Sequence, residues 1–251
     1  MRFSANLGLL WSDLPLPAAI RAAHRAGFDA VECHWPYDTP SDAVAAALTE
    51  TGLEMLGINT ARGREGEFGI SALPGRDHEA RAAIDQAIAY ARAIGCGAIH
   101  VMAGNTEGEM ARRTFVANLS YACSTARDLT FLVEPINHHD VPGYFLHSSQ
   151  QAARIIGQVG QNNLKLMFDC YHLQIAEGDI TRSLRALKPM LGHVQIASVP
   201  DRGAPDTGEL DYRYIMGVLA EIGWTRPIGA EYRPTGGTER SLSWLADLRA
   251  I

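Results

Sequence analysis

Four polar side chains close four consecutive apolar runs in the second half of the chain. Glu134 ends Phe131-Leu132-Val133, and Asp169 ends Leu164-Lys165-Leu166-Met167-Phe168. Gln195 lies in His193-Val194-Gln195-Ile196, and Glu231 ends Ile228-Gly229-Ala230. Strands buried on both faces read as continuous apolar runs, and an acid at the tip of such a run is costly unless something compensates it. Three carboxylates and one amide at equivalent depth form an oxygen-rich set of the kind that suits Mg²⁺, Mn²⁺ or Ca²⁺. Bare carboxylates sharing one apolar mouth repel, and a divalent cation relieves that repulsion. For any one acid alone, a helix cap or a loop charge facing water is the simpler account. The fourfold recurrence favours a shared site.

Other residues fall at the same kind of position. Glu32 and His34 follow the second apolar run, Asn59 the third, and His100 lies in the fourth. His172 stands three residues past Asp169 and reaches the same mouth either as a substrate contact or as a satisfied polar residue. His100 reads equally as a hydrogen-bonded core histidine. Arg202 and Glu209 lie in the glycine- and proline-rich stretch 200–210, where an arginine could clamp a substrate carboxylate in bidentate fashion; a solvent-exposed loop charge is the alternative. His138 and His139 read as solvated residues or as ligands. His24 and His78 fall on helical stretches and read as surface or structural.

The elements that must position these residues alternate along the chain. Strand patterns cover 2–7, 28–33, 54–59, 98–102, 130–134, 164–168, 192–196 and 227–231. Helical patterns cover 14–26, 41–51, 77–94, 107–127, 148–159, 179–187, 212–222 and 238–250, with a short helical turn at 171–177. Gly27, Gly52, Gly95 and Gly223 stop helices, and Ser41, Ser148 and Thr238 are candidate caps. Eight strand-helix units in 251 residues predict an α/β fold, a single (β/α)8 barrel spanning residues 1–251, whose functional groups sit at the C-terminal ends of the strands. A doubly wound sheet would want a glycine fingerprint after the first strand, and Asn6-Leu7-Gly8-Leu9-Leu10 supplies none. The polar stretch 60–76, with four glycines, is too long for a connector and reads as a lid or binding loop.

Bulk properties exclude some partners. The net charge of -6, from 28 acids and 22 bases, leaves no footprint for nucleic acid or an anionic membrane. Cys33, Cys96, Cys123 and Cys170 have no CxxC spacing and read as reduced, buried thiols. The N-terminal residues lack the apolar core of a secretory signal. No run approaches the roughly 18 apolar residues of a membrane span. A soluble cytoplasmic protein is expected. Trp224, Trp244, Tyr212 and Tyr214 leave two readings open, a homo-oligomer interface or packing between helices.

Taken together, Glu134-Pro135-Ile136-Asn137, Pro142-Gly143-Tyr144, Phe168-Asp169-Cys170-Tyr171-His172, Gly192-His193-Val194-Gln195-Ile196 and Gly208-Glu209-Leu210-Asp211-Tyr212 resemble the hydroxypyruvate isomerase family, within the xylose-isomerase-like barrel superfamily. Glu32-Cys33-His34-Trp35-Pro36-Tyr37-Asp38 extends the resemblance nearly end to end. It implies a divalent metal held by Glu134, Asp169, Gln195 and Glu231, with Glu134 and Glu231 as the proton-transfer pair. The superfamily often has a histidine where this chain has Gln195. A neutral amide oxygen tilts the site from zinc towards Mg²⁺ or Mn²⁺ and away from the apurinic endonuclease branch. The implied reaction interconverts hydroxypyruvate and tartronate semialdehyde through an enediolate. His172 would stabilise oxygen charge, Arg202 or another basic group would hold the carboxylate, and His100 and Glu209 would complete the substrate contacts. A 2-oxo-tetronate isomerase, a ketose 3-epimerase and a non-catalytic sugar-acid binding protein are the alternatives. Discrimination among substrates is expected from loop contacts around Trp11, Trp35, Arg62 and Tyr144.

Overall fold

In the computed structural model, which describes residues 1–251, nine parallel strands form a nearly closed barrel. They are β1 (Phe3–Asn6), β2 (Ala30–Glu32), β3 (Glu54–Met55), β4 (Ile58–Asn59), β5 (Ala98–His100), β6 (Thr130–Val133), β7 (Leu164–Asp169), β8 (Leu191–Ile196) and β9 (Ile228–Ala230). Spatial order runs β3-β2-β1-β9-β8-β7-β6-β5-β4. The third predicted strand is therefore split. β3 pairs with β2 and β4 pairs with β5. Around the break, Leu56 N–H donates to Val31 O and Cys33 N–H donates to Gly57 O. The two pieces thus act as one stave, and the eightfold count survives.

The helices are α1 (Leu16–Arg25), α2 (Ser41–Thr51), α3 (Asp77–Ile94), α4 (Gly108–Thr125), α5 (Ser149–Val159), α6 (Cys170–Ala176), α7 (Ile180–Leu187), α8 (Tyr212–Glu221) and α9 (Ser243–Arg249). Ser148 caps α5 by accepting from Gln151 N–H. Ser41 is instead the first residue of α2, behind Pro40. Thr238 precedes a short 3₁₀ turn, so the last helix begins later than its pattern suggests. Its hydroxyl accepts from the backbone of Trp11 and ties the two chain ends together.

One cluster of 69 buried residues fills the space between strands and helices. Tyr212 and Trp244 belong to it, and Trp244 stands edge-on to Phe3 and Tyr232. Trp224 packs against the cluster and only Tyr214 is exposed, so three of these four aromatics serve helix packing. All four cysteines are free and buried. No helix is long and apolar enough to cross a membrane.

Stretch 60–76 is pinned at its middle and at its C-terminal end rather than hinged. Gly69 bridges to Ala103, and its φ of +102 with Met102 against its Cα leaves no space for a side chain. Arg76 bonds Glu67 and Glu79. Phe68 is thereby turned towards the barrel mouth.

Candidate active site

Strand alternation decides which side chains enter the barrel. Ser4 and Asn6 on β1, His193 and Gln195 on β8, and Glu32 at the end of β2 all turn inward and meet. The Glu32 carboxylate accepts from Ser4 Oγ at 3.0 Å, Asn6 Nδ2 at 3.1 Å and Gln195 Nε2 at 2.8 Å, and pairs with His193 Nε2 at 2.6 Å. Burial alone would raise this acid, but the charge and hydrogen bond of His193 outweigh it and hold the carboxyl below its ordinary range. Glu32 is thus a compensated interior anion rather than a group presented at the mouth. Its effect falls on Gln195. With Nε2 bound to Glu32, the amide keeps Oε1 free and buried without a partner.

Above this network the mouth narrows to a cavity of about 80 Å³. Its walls include the apolar side chains of Trp35, Phe68, Met102, Ile136 and Val141, and its polar lining includes His34, His100, Glu134, His172, Arg202 and Glu231. Asp169 is fully buried beside it, with Oδ2 at 3.7 Å from His172 Nε2 and 3.8 Å from Arg202 Nη2. Its other oxygen accepts from Tyr171 N–H at 2.8 Å and caps α6. Gln195 is the β8 partner of Asp169 in the strand register.

The carboxylates differ sharply in electrostatic setting. Glu134 has His100 Nδ1 at 3.5 Å from Oε2 and His172 Nε2 at 3.8 Å from Oε1, neither a hydrogen bond. Burial, with the negative charges of Glu231 and Asp169, pushes its carboxyl far above the ordinary range. Asp169 is raised to about 7, mainly by burial and against the pull of Arg202. Burial also opposes ionisation of Glu231, but His34 at 3.2 Å and Arg202 at 2.9 Å overcome it and hold the carboxyl at about 2. His100 is lowered to about 4 by burial, so it stays neutral in ordinary conditions.

Arg202 is the mouth's one cation on a strained backbone. Its φ of +52 is uncommon for a residue with a Cβ and costs of order 1–3 kcal/mol, which persists only where surroundings enforce it. Here Arg202 bonds Glu231 and Asp140 and lies over the Tyr171 ring at 5.1 Å. Tyr171 in turn bonds Asp140. The loops after β6, β7 and β8 are locked together at this point. Arg202 Nε is buried and has no partner.

Several predicted contacts lie elsewhere. Glu209 is exposed and accepts from Gln174, because its loop turns outward over α6; it does not line the cavity. His138 and His139 are exposed with their rings tilted against each other, and His24 and His78 are exposed on their helices. Trp11 packs on Phe28 and bonds Glu239, while the Tyr144 hydroxyl accepts from Ala103 N–H. Both are structural. Trp35 does line the mouth, with Arg62 over its ring at 5.1 Å. Asn137, Asp140 and His193 carry weight that the motif reading left unassigned. The i, i+2 relation of His193 to Gln195 is the sequence signal for the third.

Glu134 Oε1, Asp169 Oδ2 and Gln195 Oε1 are all buried without a hydrogen-bond partner, although buried polar atoms are almost always paired. Glu134, Asp169 and His172 also bring potential ligand atoms within 4.8 Å of one another. Three orphaned oxygens, two of them on acids, fit a hard divalent cation. The fold and mouth define a parallel barrel with an acid-rich catalytic end. The family described as xylose isomerase-like TIM barrel matches residues 20–248. A 2-oxo-tetronate isomerase of Cupriavidus necator is 42% identical, covering 97% of each chain. The hydroxypyruvate isomerase of Escherichia coli is 38% identical, over 99% of this chain and all of that one. The crystal structure described as AP endonuclease, family 2, from Brucella melitensis superposes with a TM-score of 0.94 at 39% identity, covering 98% of each chain. The chain belongs to the hydroxypyruvate isomerase family of xylose-isomerase-like barrels, and it is an isomerase.

Proposed function

We propose that the chain is a metal-dependent isomerase of small hydroxy-keto acids that interconverts hydroxypyruvate and tartronate semialdehyde. The observation that carries this reading is the contrast between two glutamates facing one small cavity. Glu134 has a raised proton affinity and Glu231 a depressed one. Groups whose environments push their proton affinities apart suit base and acid roles.

Glu134, Asp169, Gln195 and Glu231 would hold Mg²⁺ or Mn²⁺. Such a cation, bound beside the substrate, would polarise its carbonyl and acidify the neighbouring C–H. Glu231, held ionised by His34 and Arg202, removes the C3 proton of hydroxypyruvate and leaves an enediolate. Glu134, whose surroundings favour its protonated form, delivers a proton to C2, the hydroxyl proton passes from the C3 oxygen to the C2 oxygen, and proton return from Glu231 to Glu134 restores the pair. A carboxyl with raised proton affinity carries a proton to give, which suits the acid half of the reaction, and an ionised one suits the base half. The C3 hydroxyl becomes the aldehyde and the C2 carbonyl becomes the hydroxyl, so atoms balance within one molecule. Arg202 offers its unpartnered Nε–H to the substrate carboxylate, and His172 and His100 border the reacting oxygens. Trp35, Phe68 and Met102 exclude water.

A four-carbon substrate is the second reading. It rests on the similarity to a protein described as 2-oxo-tetronate isomerase and uses the same proton transfers. About 80 Å³ suits a three- or four-carbon acid better than a hexose, which disfavours a ketose 3-epimerase. A DNA-repair role is disfavoured by the net charge of -6 and by an amide at position 195. A binding protein without catalysis would have no use for the paired glutamates. Turnover of hydroxypyruvate and 2-oxo-tetronates, with solvent deuterium followed at each carbon, tests the proposal. Glu134→Gln should fold normally and lose about 10²–10⁴-fold in turnover. Wild-type turnover in that variant would remove Glu134 from the chemistry.

A further inference from the structure

Asn137 follows Glu134 by three residues and is completely buried. Its Oδ1 accepts from two backbone amides, His139 N–H at 3.0 Å and Asp140 N–H at 2.9 Å. Backbone N–H groups can only donate, so this end of the amide must be the oxygen. The usual ambiguity in amide orientation is thereby removed. The NH₂ end then faces His172 Nδ1 at 2.8 Å, and Asn137's own backbone N–H points at the same atom from 3.3 Å. Two donors converge on Nδ1. It must accept, and the proton of the ring sits on Nε2.

His172 Nε2 faces the mouth, 3.8 Å from Glu134 Oε1 and 3.7 Å from Asp169 Oδ2. By distance alone His172 completes a three-residue ligand cluster with those acids. A neutral imidazole with its proton on Nε2 has no lone pair there to give a metal. It has a hydrogen bond to give an oxygen.

We propose that Asn137 is a positioning residue that fixes His172 as an Nε2–H donor, so that His172 contacts substrate oxygen and the cation is left to oxygen ligands alone. This rests on the metal-dependent isomerase reading and deepens it, because it says why the site prefers a hard cation. A ring lone pair beside Glu134 and Asp169 would complete a mixed nitrogen–oxygen site, and imidazole suits zinc. The Asx turn at 137–140 excludes that arrangement.

The test is ¹⁵N NMR of the full-length protein labelled at histidine, in buffer containing Mg²⁺. His172 is assigned by loss of its signals in His172→Gln. The expected wild-type spectrum shows a protonated Nε2 and a bare Nδ1. Asn137→Asp has the same shape, keeps an oxygen for the two backbone amides and turns an acceptor towards Nδ1. It should move the proton to Nδ1 and shift the Zn²⁺-to-Mn²⁺ affinity ratio, measured by calorimetry, towards zinc on the order of tenfold. A protonated Nδ1 in the wild type overturns the proposal without any variant. So does an unchanged ring proton in a folded Asn137→Asp protein. Wild-type protein that binds neither Mn²⁺ nor Mg²⁺ would sink the metal reading while leaving the ring assignment measurable.

Discussion

At the scale of single residues, the groups that set chemistry are held by groups that do none. Gln195 is useful to a cation only if its oxygen, not its nitrogen, faces the mouth, and Glu32 enforces that by taking Nε2–H at 2.8 Å. Glu32→Gln would offer both a donor and an acceptor there and let the Gln195 amide turn over. Mn²⁺ affinity, read by calorimetry, should fall about 10- to 100-fold while the circular dichroism spectrum is unchanged. Unaltered affinity would show that Gln195 is oriented some other way. Arg202→Lys keeps the charge but loses the planar fork that spans Glu231 and Asp140. It should raise KM for the acid substrate more than it lowers kcat. The positions Glu134, Asp169, Gln195 and Glu231 stood out because a polar group at the end of an apolar run has no cheap explanation. Asn137 did not, because a buried hydrogen-bond partner has no sequence pattern beyond polarity itself, and His193 left only its i, i+2 relation to Gln195. Glu209 misled for the opposite reason: a charge in a long loop after a strand resembles a site residue whether or not the loop folds inward.

At the scale of elements, the barrel staves were readable from hydrophobic runs, and their boundaries moved only where local geometry intervened. The third strand is broken at Leu56-Gly57, which no periodicity rule distinguishes from a continuous run of six residues. Stretch 60–76 was rightly singled out by length, but the Gly69 bridge and the Arg76 ion pairs make it a fixed wall. Strand β9 shows how closely such elements are fitted. A Cβ at Gly229 would lie 2.7 Å from Glu32 Oε1 and 2.8 Å from Gln195 Cγ. Neither side chain can retreat, since both belong to the same buried network. Gly229→Ala should therefore destabilise the protein by about 1–3 kcal/mol through overpacking, measured by urea titration, and should weaken Mn²⁺ binding as well. A stability loss with intact Mn²⁺ affinity would mean that β9 yields and the network does not.

At the scale of the whole molecule, the acidic mouth sets a conflict between folding and function. Glu134, Asp169 and Glu231 converge on one cavity region with Arg202 as the single cation among them. Acids whose ionisation is opposed by burial and by neighbouring negative charge cost folded stability near neutral pH, and Glu134 and Asp169 carry that cost in the metal-free protein. Mg²⁺ or Mn²⁺ should therefore stabilise the fold as well as activate it. At a hundred times the dissociation constant the gain is about 2.7 kcal/mol, and for a chain of this size it should raise Tm by roughly 5–10 °C. Glu134→Gln supplies the discriminating arm. Its amide has a similar shape and no carboxyl whose ionisation the site opposes, so at pH 7 the chelator-treated variant should melt above the chelator-treated wild type. It should also gain less from added Mg²⁺, because one ligand has lost its charge. A metal-induced shift of the same size in both proteins would mean that the cation binds away from Glu134. If both proteins melt alike in chelator, the repulsion at the mouth is already relieved by Arg202 and the neighbouring histidines.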